Sequence, residues 1–157
     1  MGCGVIGNTK VSGSFVLGSS PGTPAKVGGL MLEQFAAGYL VFSFVALALF
    51  QLAVVLGAPL GEYAYGGQIV GKLPIQYRIA STFSFLLALA IAGHYLAQLG
   101  VLPTLLSPEL NQIVNWGLVA FNLPAAILNN ITRSQKEKRL WGGTTIANLL
   151  ASVIVAL

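Results

Sequence analysis

The chain has 157 residues, 55% of them hydrophobic and 8% charged, with a formal net charge of +4. A soluble domain carries about 25% charged residues, so this composition cannot cover a water-facing surface, and a mean hydropathy of +0.80 points to an integral membrane protein. The bases lie in loops beside apolar runs, which makes the charge a topology signal rather than a nucleic-acid footprint. A single cysteine, Cys3, excludes an internal disulfide and a thiolate metal cluster.

The patterning predicts an all-α integral membrane fold: four transmembrane helices in an up-down bundle behind an irregular tail. Residues 1–32 form that tail, rich in Gly, Ser and Thr. Such a stretch buries too little apolar surface to fold alone, so an ordered tail implies a partner that holds it. It has no long apolar run near Met1 and is not expected to be a secretory signal. Gly2-Cys3 resembles the start of an acylated protein, but Ile6 stands where the myristoylation pattern has Ser or Thr.

The first span is expected at about 33–57, with FAAGYLVFSFVALALFQLAVVL as its uncharged centre and Gly57 and Pro59 at its end. A loop dense in Gly, Tyr and charge follows, GAPLGEYAYGGQIVGKLPIQYR. Gly61, Gly66, Gly67 and Gly71 allow it to fold tightly, and Tyr63, Tyr65 and Tyr77 suit a headgroup layer. Glu62 and Arg78 are placed to pin its ends as an ion pair. The second span, about 74–100, opens on Pro74 in the first helical turn. Its Ala80, Ser84, Ala88 and Ala92 recur at four-residue steps, as do Gly143, Ala147 and Ala151 later; small faces let helices approach closely in lipid.

The third span, about 108–130, opens with SPEL, in which Ser107 can cap and Glu109 meets the helix dipole. Asn115, Asn122 and Asn129 recur every seven residues, and Asn111 lies one turn earlier, so the amides form one polar stripe. Thr144, Asn148 and Ser152 make a similar line on the fourth span, about 135–157, which opens on the capping-box pattern SQKE. Amides in hydrocarbon need partners. These two lines are expected to bond to each other, or else to line a ligand path. Pro124 is expected to kink the third span.

His94 is the only histidine, and as an intramembrane ionisable group it is a candidate haem or chlorophyll ligand, with a hydrogen-bonded packing role as the plainer reading. No catalytic set, phosphate loop or dinucleotide fingerprint occurs, so no enzyme is expected. Lys72, Arg78, Arg133, Lys136, Lys138 and Arg139 place two basic loops on the cytoplasmic or equivalent side, with both termini opposite.

Gly57-x-Pro59-x-Gly61-Glu62, Gly66-Gly67, Gly71-x-Leu73-Pro74 and Arg78, with Asn129, Ser134, Glu137 and Trp141, resemble the two basic loops of a family of small bacterial four-span membrane proteins. The resemblance covers residues 35–157. Leu60 departs from that family's Trp, and Gly142-Gly143 from its Pro. It implies the architecture, a bacterial inner membrane or an organellar membrane of bacterial descent, and loops that matter; it implies no activity.

The leading expectation is a non-enzymatic accessory subunit of a larger membrane assembly, respiratory or photosynthetic for example, with other subunits and lipids as partners and no nucleic acid. The alternative is a small carrier or sensor that binds a polar molecule or lipid at the Asn-lined face. What separates them is whether those polar residues face a cavity or one another.

Overall fold

The computed structural model describes residues 24–157, with side chains from residue 28 onward. Four long helices follow in chain order: α1 (Pro24–Leu56), α2 (Ile75–Gln98), α3 (Pro108–Ile131) and α4 (Gln135–Ala156), and no strand occurs among the described residues. The expectations for the tail before residue 24, including those for Cys3, lie outside the described residues.

The helix α1 begins at Pro24, earlier than the start expected near 33. Proline suits a first turn, and Gly28 and Gly29 each weaken a helix by about 1 kcal/mol without stopping one. The change in composition at 32 is therefore not where the helical geometry ends. Opposite, α4 starts with one turn (Gln135–Glu137), widens into a π turn (Lys138–Gly142) and continues regularly over Gly143–Ala156.

Three helices are long and apolar enough to cross a membrane: Gly28–Leu56 of α1, then α2 and α4. The third expected span forms as a helix of 24 residues, the same length as α2, about 36 Å long. Its composition falls short because Asn111, Asn115, Asn122, Asn129 and Asn130 all lie on it.

The packed pairs are α1 with α2, α1 with α4, and α3 with α4. Leu40, Phe44 and Ala48 of α1 form one core with Ala88, Ile91, Ala92 and Tyr95 of α2 and Ala151 and Val155 of α4. The expected small stripe on α2 splits: Ala88 and Ala92 are buried there, whereas Ala80 is exposed and Ser81 is buried instead. A strict four-residue step turns about 40° further each time, so Ala80 and Ala92 cannot share one face. On α4, Ala151 is buried and Gly143 exposed. α3 runs through Pro124 as one continuous helix.

Both loops dense in charge lie at the same end of the bundle. Ser134 Oγ donates to Glu62 O at 2.7 Å, while at the other end Gln112 of α3 donates to Ala156 O at 2.6 Å. Successive helices thus alternate in direction.

Candidate functional site

The 57–74 loop closes on itself before it meets anything else. Gly61 N donates to Gly71 O at 2.9 Å, and a Cβ on Gly61 would strike Ile69 O, so this position admits no side chain. Pro74 stands just before α2, its carbonyl accepting from Tyr77 N at 3.1 Å. The folded loop then docks on the segment that opens α4. Ser134 bonds to Glu62 O, Lys136 Nζ pairs with Glu62 Oε2 at 2.7 Å, and Trp141 Nε1 donates to Tyr63 O at 3.0 Å. Gly67, at φ +64°, lies where a Cβ would strike Ser134.

Glu62 therefore pairs with Lys136, and the expected Glu62–Arg78 ion pair is not formed. Arg78 instead donates from Nε (3.0 Å) and Nη2 (2.6 Å) to Val55 O, binding an orphan carbonyl at the end of α1. A guanidinium presents donors in a fork, and the last turn of α1 offers unpaired carbonyls nearer to hand than the carboxylate. The capping box forms in part. Ser134 Oγ accepts from Glu137 N at 3.2 Å, but Glu137 Oε2 accepts from Thr132 Oγ1 at 2.6 Å, and Thr132 in turn accepts from Ser134 N at 3.3 Å.

Beneath this docked pair of loops lies a cavity of about 240 Å³, bounded by all four helices. Tyr63, Ala64 and Tyr65 from the first loop and Glu137 and Trp141 from the second roof it. A wider recess of about 820 Å³ on the same side shares Tyr65, Asn129 and Glu137 with it, so these three residues form the neck between interior and surface. Tyr65 is held there at φ +53°, an uncommon backbone for a side chain. Its hydroxyl bonds to Ser81 Oγ (3.0 Å) and Tyr77 O (3.2 Å). Gly66, at φ +79°, completes that turn.

The inner wall carries Asn122, Asn129, Thr144 and Asn148, together with Gln51 and Ser84. Of the two expected polar lines, these four residues border the space, and the side chains of one line do not bond to those of the other. Asn122 Nδ2 donates to Leu118 O at 3.0 Å and Asn129 Nδ2 to Ala125 O at 2.9 Å, each on its own helix. Thr144 Oγ1 donates to Leu140 O at 3.2 Å, and Ser152, away from the cavity, to Leu149 O at 2.8 Å. The i−4 carbonyl is always within reach of these side chains, whereas an interhelical partner must be placed. Asn148, 6% exposed, keeps an unpartnered Oδ1, and Gln51 an unpartnered Oε1.

The stripe on α3 divides at Asn115, which belongs to the opposite end of the bundle. His94 Nε2 lies 2.9 Å from Asn115 Oδ1 and 2.8 Å from Gln98 Nε2, and Gln98 Nε2 donates to Asn115 Oδ1 at 2.8 Å. This triangle ties α2 to α3. It engages His94 through its Nε2. Beside the triangle, a cavity of about 510 Å³ lies under the 102–106 loop, with a mostly apolar lining. Among the described residues no group of His, Cys, Asp and Glu could hold a metal ion.

Gln51 and Gln98 were not among the expected site residues. Each carried a signal: Gln51 is an amide inside an apolar span, and Gln98 stands one turn from His94. No protein-family model, no curated protein and no solved structure matches the chain.

Proposed function

We propose that this protein is a non-enzymatic, membrane-embedded carrier or sensor whose polar cavity holds a small solute. The observation that carries the reading is Asn148: a buried side-chain amide, 6% exposed, that borders the cavity and whose oxygen has no hydrogen-bond partner. Buried polar groups are almost always hydrogen-bonded, and leaving one unmade costs about 1–3 kcal/mol. A solute that supplies the missing bond offsets that cost. The cavity's 240 Å³ corresponds to about eight waters at 30 Å³ each, which sets the scale of the solute.

In this reading all four helices cross the bilayer, α3 with its amides turned inward. The two basic loops lie on the cytoplasmic or equivalent side of a bacterial inner membrane or an organellar membrane of bacterial descent. Lipids cover the apolar outer faces. The loops serve as the roof of the site.

The test is reconstitution in lipid and a panel of small neutral, cationic and anionic polar solutes, read by thermal stabilisation. At least one class should stabilise the protein, and Asn148→Leu or Asn122→Leu should abolish that response without preventing assembly. A protein that answers to none, and leaves native membranes only in fixed stoichiometry with a larger complex, is instead the accessory subunit.

A further inference from the structure

On the reading that the cavity binds a solute, we infer that the solute is a small primary alkylammonium cation. Three independent features of the lining point the same way.

The first is the balance of donors and acceptors. Asn122 and Asn129 commit their N–H groups to their own helix, so they offer the cavity only oxygen. Thr144, Thr145, Ser84 and Trp141 likewise direct their protons to backbone carbonyls. Asn148 Oδ1 and Gln51 Oε1 have no donor at all. The side-chain donors left uncommitted are the Ser43 and Tyr63 hydroxyls and the amide groups of Gln51 and Asn148. The oxygens of Asn122, Asn129, Asn148 and Gln51, with the Glu137 carboxylate, are the acceptors the lining offers to a ligand's N–H groups.

The second is charge. Glu137 is 9% exposed and lies at the neck, and no lysine, arginine or histidine pairs with it among the described residues. The basic groups nearby face elsewhere. Lys136 is taken by Glu62, and Arg133, Lys138 and Arg139 are exposed, Arg133 in the outer recess. A buried carboxylate without a counter-charge favours a cation and opposes an anion.

The third is aromatic surface. Phe44, Phe50, Tyr63, Phe121 and Trp141 line the same space, with Phe50 and Trp141 edge to face at 4.9 Å. Ring faces attract desolvated cations and accommodate an alkyl body. A primary ammonium brings three N–H donors, enough for the carboxylate and two amide oxygens. A quaternary ammonium has none and would leave those oxygens bare.

The experiment is calorimetric titration of the full chain in lipid nanodiscs with n-propylammonium, against 1-propanol, propionate, tetramethylammonium, sodium and potassium. The proposal expects binding of n-propylammonium alone or far above the rest. Glu137→Gln, which keeps a hydrogen-bond acceptor for Thr132, should weaken it by about tenfold or more, the loss of one charge-assisted hydrogen bond. Asn148→Leu, melting like the parent chain, should weaken it as well. Binding of 1-propanol as tight as that of n-propylammonium, unaffected by Glu137→Gln, would overturn the cation and leave the binding cavity standing. Preference for tetramethylammonium, sodium or potassium would overturn the primary amine. Heat from none of the probes, with the folded state confirmed, would overturn the alkylammonium assignment and return the cavity to the wider solute panel.

Discussion

The indole Nε1 of Trp141 donates to the carbonyl of Tyr63 across 78 positions of sequence at 3.0 Å. That bond holds the first loop down on the start of α4, and both residues border the polar cavity. A loop rich in glycine, tyrosine and charge is thus explained from within the chain. It closes a site.

Trp141→Phe keeps most of the apolar ring against Phe50 but deprives the Tyr63 carbonyl of its donor. A loss of about 1–3 kcal/mol is expected, felt first at the loop. Hydrogen exchange should quicken over 57–74 well before the core around Leu40 and Tyr95 responds.

Gly67→Ala and Gly71→Ala separate strain from space. Both positions have positive φ, +64° and +82°, and share a penalty of about 1–2 kcal/mol for any side chain. At Gly71 a Cβ meets nothing within 4 Å, whereas at Gly67 it meets Ser134 and the Glu62 carbonyl. Gly67→Ala should therefore lower the melting temperature more, and it should also disturb the Ser134–Glu62 bond.

Double-mutant cycles distinguish the two candidate partners of Glu62. Coupling to Lys136 should be measurable yet small, about 0.2–1 kcal/mol and weaker in high salt, because both side chains are substantially exposed. Coupling to Arg78 should be nil. Arg78→Ala alone should be costlier than Glu62→Ala, since it strips two donors from Val55 O.

These cases mark what the sequence made legible. Helix positions followed from apolar runs and from punctuation such as Ser107, which caps α3 by accepting from Leu110 N at 3.4 Å. Of the asparagines that recur every seven residues, Asn122 and Asn129 border the cavity. What was not legible was partner choice. Arg78 had an acid and a helix terminus in reach, and only the path of the folded loop decides between them. Asn115 shares a periodicity with Asn122 yet serves the His94 triangle, because periodicity fixes a face and says nothing of depth. Gln51 lay unmarked for a similar reason: a lone amide gains meaning only when Asn148 and Glu137 line the same space.

Asn115→Leu should cost about 1–3 kcal/mol by leaving the amides of Gln98 and the His94 ring short of partners. It should loosen α2 from α3 at that end while solute binding at the far end persists. A binding defect in this variant equal to that of Asn148→Leu would show that the two ends act as one site.

The most direct measurement is the water accessibility of Asn148. In a Cys3→Ser background, which removes the only native cysteine, Asn148→Cys and Leu150→Cys are compared in intact membranes with a small water-soluble thiol reagent. Asn148 lines the cavity, and Leu150 is 60% exposed on the outer face. Labelling at position 148 with none at 150 is the result predicted. Equal silence at both positions would mean that the polar interior is sealed and dry, which contradicts a binding site there.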